Sequence, residues 1–220
     1  LTHIQVPAKR PEIKLGNKLE GPDQAILKKS VTTIVDQVDA MKRLVNEFRD
    51  YARLPAAELQ AVDLNALIKD VLHLYGAENA VVPIEADLDS AAPRIMGDAQ
   101  QLRQVIHNLL QNAQDATEQA WLGKPDAPAV RIATKFVSNS KRVRLTIADF
   151  GCGFPEHILQ KAFEPYVTTK PRGTGLGLAV VKKIADEHGA RIEISNRIEG
   201  EKIQGAQVSL SFAIEEAMVI

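Results

Sequence analysis

The sequence predicts an α+β chain. An N-terminal helical hairpin or coiled coil comes first, followed by an α/β sandwich in which helices cover one face of a mixed sheet. Three observations predict this: an unbroken apolar seam before Pro55, a change to alternating strand and helix patterns after Ala61, and glycine-rich turns at a strand end and at a helix start. In the seam, Leu27, Val31, Ile34, Val38, Met41, Val45, Phe48 and Ala52 follow one another at spacings of four and three residues, a period of about 3.5. Pro22 stands near the start, where its missing N–H does no harm, and Pro55 lies past the end. A helix over 23–53 follows, with charged side chains such as Lys28, Asp36, Lys42 and Glu47 on its other faces. Such a stripe cannot be buried by one helix alone. It asks for a partner helix from this chain or from a second copy, so a homodimer through the 23–53 helix is expected. Residues 1–20 are poor helix, because Pro7 and Pro11 each remove a donor and clash with the preceding turn.

The elements after Ala61 are legible in order. Asp63–Leu74 is amphipathic, with Asp63 as N-cap. Val81–Ala86 and Arg94–Met96 read as short strands. Asp98 caps a helix from Ala99 to about Ala120 whose buried face is Leu102, Val105, Ile106, Leu109, Ala113 and Ala116. Val130–Val137 and Arg142–Ala148 are strands joined by a Ser-Asn-Ser-Lys turn. A short helix starts near His157, Thr174–His188 reads as a helix, and Arg191–Asn196 and Gln207–Ala213 read as strands.

Composition narrows the function classes. The chain has 220 residues, with 27 Lys and Arg against 28 Asp and Glu, so net charge makes no case for nucleic acid or an anionic membrane. One cysteine, Cys152, excludes an intramolecular disulfide and any multi-cysteine metal site. The longest run free of Asp, Glu, Lys and Arg is Ile203–Ile214, too short for the roughly 18 apolar residues of a membrane span. A chain that opens on Leu1 reads as a piece of a longer protein.

Four constellations carry chemistry. Asn108 and Asn112 lie four apart on the Asp98 helix, with Asp115 nearby, and amide oxygens are neutral, hard ligands suited to Mg²⁺. Asp149-Phe150-Gly151-Cys152-Gly153 follows a strand, placing a carboxylate where it can accept from an exocyclic amine while the glycines admit close backbone approach. Gly173-Thr174-Gly175-Leu176-Gly177-Leu178 opens a helix and offers N–H groups to a phosphate. The dinucleotide fingerprint fails there, because Leu178 stands where a glycine is required, and no P-loop occurs. Between the last two lies a polar segment ending in Thr169-Lys170-Pro171-Arg172, suited to a mobile lid reaching a phosphate chain.

In this order and spacing, the four resemble the N, G1, F and G2 boxes of the histidine-kinase ATP-binding domain, over about Ala61–Ala213. That domain belongs to the superfamily of type II topoisomerase, chaperone and mismatch-repair ATPases. Asn46-Glu47-Phe48-Arg49-Asp50-Tyr51-Ala52-Arg53 looks like the second dimerisation helix of nitrogen-regulation kinases of the NtrY type. The resemblance implies a fold of the histidine-kinase ATPase type, with 1–55 a partial dimerisation region and 61–220 an ATP-binding catalytic domain. It implies ATP and Mg²⁺ as cofactors, with Asn112 and Asn108 at the metal and Asp149 on the adenine amine. Gly151 and Gly153 would admit the base. Asp115, Thr169, Lys170, Arg172, Gly173, Thr174, Gly175, Leu176, Gly177 and Leu178 would line the rest of the nucleotide site.

The helix separates two chemistries. In the hydrolytic branches a Glu lies four residues before the metal-binding Asn and activates water; here that place is Asn108, and an amide takes no proton near neutral pH. A neutral imidazole is already a nucleophile, so transfer to a histidine needs mainly positioning and charge neutralisation. None of His3, His73, His107, His157 and His188 sits in the acceptor box of the family. The acceptor is expected upstream, so this chain would bind ATP without phosphorylating itself. The parent would be a two-component sensor histidine kinase that passes the phosphoryl group to an Asp of a response-regulator receiver domain. This chain would be its cytoplasmic portion, joined to the membrane only through the missing N-terminal part. Two alternatives stand: an ATP-hydrolysing conformational machine and a nucleotide-free dimerisation module. Pro7, Pro11 and Gly205-Ala206, where the family often has Gly-Thr, depart from the pattern.

Overall fold

The computed structural model describes residues 21–75, 82–124, 126–170 and 173–215. His3, Pro7, Pro11, Val81, Arg172 and the last five residues lie outside this set. The described residues fall into two compact units. Of these, 21–54, 169–170 and 173–174 form one, and the described residues of 55–168 and 175–215 form the other.

The first unit is built on helix α1, Pro22–Ala52, with Pro22 in its first turn and the Arg53 N–H returning to the Arg49 carbonyl at 2.9 Å. At 1.5 Å per residue its 31 residues span about 46 Å. Its seam is half closed. Val31 and Val38 are buried, whereas Ile34, Met41, Val45 and Phe48 are each about half exposed.

The second unit is a sheet with helices on one face. Its elements in order are β1 (Gln60–Val62), α2 (Leu64–Leu74), β2 (Ile84–Leu88), β3 (Ile95–Gly97), α3 (Ala99–Trp121), β4 (Val130–Val137), a 3₁₀ turn at Ser138–Ser140, β5 (Arg142–Ala148), α4 (Glu156–Leu159), α5 (Gly177–Glu187), β6 (Arg191–Glu199) and β7 (Lys202–Ala213). The main sheet has the order β2-β4-β5-β7-β6, parallel between β2 and β4 and antiparallel elsewhere; β1 and β3 form a separate antiparallel pair. Alternation along the strands sends Val130, Ile132 and Thr134 of β4, Val143, Leu145 and Ile147 of β5, and Val208, Leu210 and Phe212 of β7 to the buried face. There they meet α3, while β6 meets α5. The opposite face carries polar side chains, with Lys135 opposite Arg144 and Thr146 opposite Ser209.

Local chemistry fixes the helix starts. The Asp63 carboxylate accepts from the Ala66 N–H at 2.9 Å, and Asp98 accepts from the N–H groups of Gln100 and Gln101 at 2.9 and 3.1 Å. His188, buried at the end of α5, joins it to the start of α3: its Nε2 accepts from the Asp98 N–H at 2.9 Å while Nδ1 faces the Ile184 carbonyl at 2.8 Å. Helix α3 buries Leu110 and Thr117 as well as the expected Leu102, Val105, Ile106, Leu109 and Ala113, because it packs on α2, on α5 and on the sheet, while Ala116 is only half-buried.

Three sequence expectations shift. The helix expected from Thr174 begins at Gly177, because Gly175 has φ +70° and its carbonyl accepts the Tyr166 N–H at 3.0 Å, which holds the preceding residues in a loop. The last two strands extend to Glu199 and start at Lys202, forming one long hairpin. The short strand β1 was not expected; its pairing with β3 supplies the order that three residues alone do not.

The Asp98 cap gives a test. Burial opposes ionisation of this carboxyl, but the N–H groups of Gln101, Glu58 and Gln100 outweigh it and hold its pKa below the ordinary value. Its contribution is therefore present above the ordinary Asp pKa of about 3.9 and is lost as pH falls through the lower folded value. Asp98→Ala is expected to reduce stability by about 1 kcal/mol near neutral pH. Urea unfolding of both chains should show that difference closing at the acid end.

Candidate functional site

The site grows from the middle of α3. Asn108 and Asn112 project one turn apart, both half-buried. Packing of α3 on α5 sets Asn112 against the first residue of α5: a Cβ on Gly177 would stand 3.6 Å from Asn112 Nδ2. The first-turn N–H groups of α5 have no partner within the helix, and they carry the positive end of its dipole to this place. Asp115 stands on the neighbouring stripe of α3, where its Oδ1 accepts from Gln111 Nε2 at 2.8 Å. His107 shares that stripe, and its Nδ1 lies 2.7 Å from the hydroxyl of Tyr75 at the end of α2. Burial, with the Asp115 charge second, pushes the Tyr75 pKa up to about 12.

The carboxylate end is held by backbone. Asp149 ends β5, and its Oδ1 accepts from the Gly151 N–H at 2.8 Å and the Ala206 N–H at 2.9 Å. Its own N–H donates to the Ala206 carbonyl at 2.9 Å. Gly205, at φ +127°, makes this possible: a Cβ there would lie 2.2 Å from the Asp149 carbonyl oxygen. The glycines of the turn admit protein backbone. A Cβ on Gly151 would stand 2.9 Å from that of Ala116 on α3, and one on Gly153 would stand 2.7 Å from Asn196 Oδ1. At these two glycines the protein's own close approach is to α3 and β6. The turn is pinned to α3 twice more, by the Phe150 N–H donating to buried Thr117 Oγ1 at 3.0 Å and by the Trp121 indole donating to the Phe150 carbonyl at 3.1 Å.

The glycine segment divides. Gly175 packs on the backbone of Tyr166 and Val167; Leu176 is fully buried, so its side chain belongs to the core; Gly177 and Leu178 open α5. Thr169, Lys170, Gly173 and Thr174 group with the unit of α1, where the Gly173 N–H donates to the Lys170 carbonyl at 3.0 Å and the Thr174 hydroxyl to the Glu47 carboxylate. The second unit therefore holds Asn108 and Asn112 on α3 beside Gly177 and Leu178 of α5, and Asp149, Gly151 and Gly153 in the turn that Ala116, Thr117 and Trp121 of α3 hold. Sequence reasoning passed over Thr117, Asn196 and Arg197. An Asn in mid-strand is itself a signal, because that residue type is depleted in strands unless its amide has a task.

Comparison with known proteins decides the family. Residues 97–216 match the model of the histidine kinase-, DNA gyrase B-, and HSP90-like ATPase family. The chain belongs to this family. Its relatives are sensor kinases. Nitrogen regulation protein NtrY of Azorhizobium caulinodans is 32% identical over 215 residues, which cover 98% of this chain and 27% of that protein. Sensor histidine kinase ZraS of Escherichia coli is 32% identical over 163 residues, which cover 73% of this chain and 33% of that protein. The chain thus spans about a quarter to a third of the length of these ATPase-family relatives. The crystal structure of full-length ShkA in complex with AMPPNP superposes with a TM-score of 0.66 at 27% identity, covering 98% of this chain and 45% of that one. The catalytic domain of histidine kinase ThkA gives 0.59 at 29% identity, covering 71% of this chain and 95% of that one. No helix among the described residues is long and apolar enough to cross a membrane.

The α3 stripe is open to a direct test. Asp115→Asn removes the charge that helps to raise the Tyr75 pKa, so a phenolate absorbance titration should find that tyrosine ionising at lower pH than in the parent chain, though still above 10 because burial remains. An unchanged titration would separate the two side chains.

Proposed function

We propose that this chain is the ATP-binding catalytic core of a two-component sensor histidine kinase, with the nucleotide lying along α3. The observation that carries the reading is the pairing on one helix of two unlike ends. Asn112 faces the first residue of α5, where a Cβ on Gly177 would touch its amide, and Asp149 is locked by two N–H donors into one direction. The first suits phosphates and the second suits a purine amine. The AMPPNP complex of ShkA, at 27% identity, supports a nucleotide in this fold.

The residues fit a magnesium ion that arrives on the phosphates. The amides of Asn108 and Asn112 are neutral oxygen donors, and no group of three or more His, Cys, Asp or Glu among the described residues could hold an ion by itself. Such an ion would neutralise charge on the phosphates. The rest is done by the chain: α5 presents N–H groups to the phosphate oxygens, and Asp149 accepts from the base. Asn108 cannot take a proton from water, so the site favours transfer to an imidazole, which needs positioning more than a base.

In this reading residues 1–55 are part of the dimerisation region and 61–220 the catalytic domain. The acceptor histidine lies upstream, and the receiver domain of a response regulator takes the phosphoryl group next. Lys170, Arg172 and the segment to Thr174 serve as lid. The half-open seam of α1 joins a second copy. The chain is the cytoplasmic part of a membrane-bound sensor.

Binding of a non-hydrolysable ATP analogue, with and without Mg²⁺, tests the site. Asn112→Ala should lose the Mg²⁺ dependence, and Asp149→Asn should lose the preference for adenine over guanine; binding unchanged in both would reject the assignments. Sedimentation over a range of concentrations should show a dimer that Val45→Asp and Phe48→Asp weaken, whereas a strict monomer in the parent chain would remove the pairing through α1.

A further inference from the structure

Two consecutive residues of β6 grip both ends of the Asp149 turn. Asn196 commits both amide atoms to Phe154: Oδ1 accepts the Phe154 N–H at 2.7 Å, and Nδ2 donates to the Phe154 carbonyl at 2.8 Å. Arg197 takes the other end, with Nη1 donating to the Asp149 carbonyl at 2.7 Å and its guanidinium 4.4 Å from the centre of the Phe150 ring. Neighbouring strand residues normally point to opposite faces. Here the β6–β7 register shifts between Asn196 and Ile198, and that irregularity lets adjacent side chains serve one turn.

We propose that Asn196 and Arg197 are positioning residues that set the direction of the Asp149 carboxylate and, through it, the choice of purine. The inference rests on the nucleotide reading above and extends it to the residues that hold the Asp149 turn. Asn196 pairs with Ala206 across the hairpin, and Ala206 is the residue whose N–H holds Asp149 Oδ1. Strand β6 therefore reaches the carboxylate by three routes: the Asp149 carbonyl, the Phe154 peptide and the Ala206 amide. A hydrogen bond from a cation and a guanidinium over a ring are each stronger than their neutral counterparts. Discrimination between an amine and a carbonyl on the base needs the acceptor held to within about 0.5 Å, which a turn tethered at one end would not provide.

The test measures non-hydrolysable ATP and GTP analogues binding to the 220-residue chain and to Asn196→Ala, Arg197→Met and Arg197→Lys, each with and without Mg²⁺. Methionine keeps an apolar stem over Phe150 but has no donor, whereas lysine restores a donor without the planar fork. The adenine-to-guanine preference should fall about tenfold in Arg197→Met and Asn196→Ala, the scale of one charge-assisted or paired hydrogen bond, and should partly recover in Arg197→Lys. Mg²⁺ dependence should stay that of the parent chain, which a general loosening of the fold would not leave intact. The Arg197 pair keeps the proposal open to refutation if Asn196→Ala does not fold. Retained preference in the Arg197 variants, or loss of both nucleotides in step with Mg²⁺ dependence, overturns the positioning role alone. A parent chain without adenine preference overturns the nucleotide reading and this inference together.

Discussion

His188 fixes the separation of the two helices that make the site. Its Nε2 accepts from the Asp98 N–H, so Nδ1 must carry the proton that goes to the Ile184 carbonyl, and one neutral tautomer satisfies both. The ring ties the end of α5 to the cap of α3. Gly97 leaves room for the joint, since a Cβ there would stand 2.6 Å from Leu102 Cδ1 and 3.4 Å from the ring. From this joint Asn112 lies fourteen residues along α3, about 21 Å, and Gly177 eleven residues back along α5, about 16 Å. Arms of that length magnify any change of angle at the joint, so the placing of the Asn112 amide beside Gly177 depends on a contact far from it.

The two ends of the site are built differently. The base end is rigid, because strand, turn and helix share hydrogen bonds at Asp149, Phe150 and Phe154. The start of α5 lies beside α3 within the second unit, whereas Thr169, Lys170, Gly173 and Thr174 group with α1. On the proposed reading, the purine would be met by groups already held in place by hydrogen bonds.

What could be read from the sequence was local. Asp63 and Asp98 announce their helices because a cap acts on N–H groups two or three residues away. β4 and β5 were legible to the residue because alternation and the turn between them are properties of adjacent positions. The hairpin from Glu199 to Lys202 was missed locally; the other losses came from contacts between elements. The start of α5 is set by Tyr166 bonding Gly175, nine residues away. The burial of Leu110 and Thr117 follows from α3 being surrounded, which periodicity on one face does not report. Within the site, Asn112 and Asp149 stood out by residue type and spacing, whereas Asn196 and Arg197 act on a turn more than forty residues distant and left only the oddity of an amide in a strand.

The order of the main sheet has a consequence for synthesis. Strand β7 is the last of the five to be made, yet it lies between β5 and β6 and carries Gly205 and Ala206. A nascent chain emerging from the ribosome can pair β2, β4 and β5, but β6 has no neighbour to join until β7 follows it. Until then Asp149 lacks the amide of Ala206 that orients it, so the turn takes its final form only when β7 has emerged.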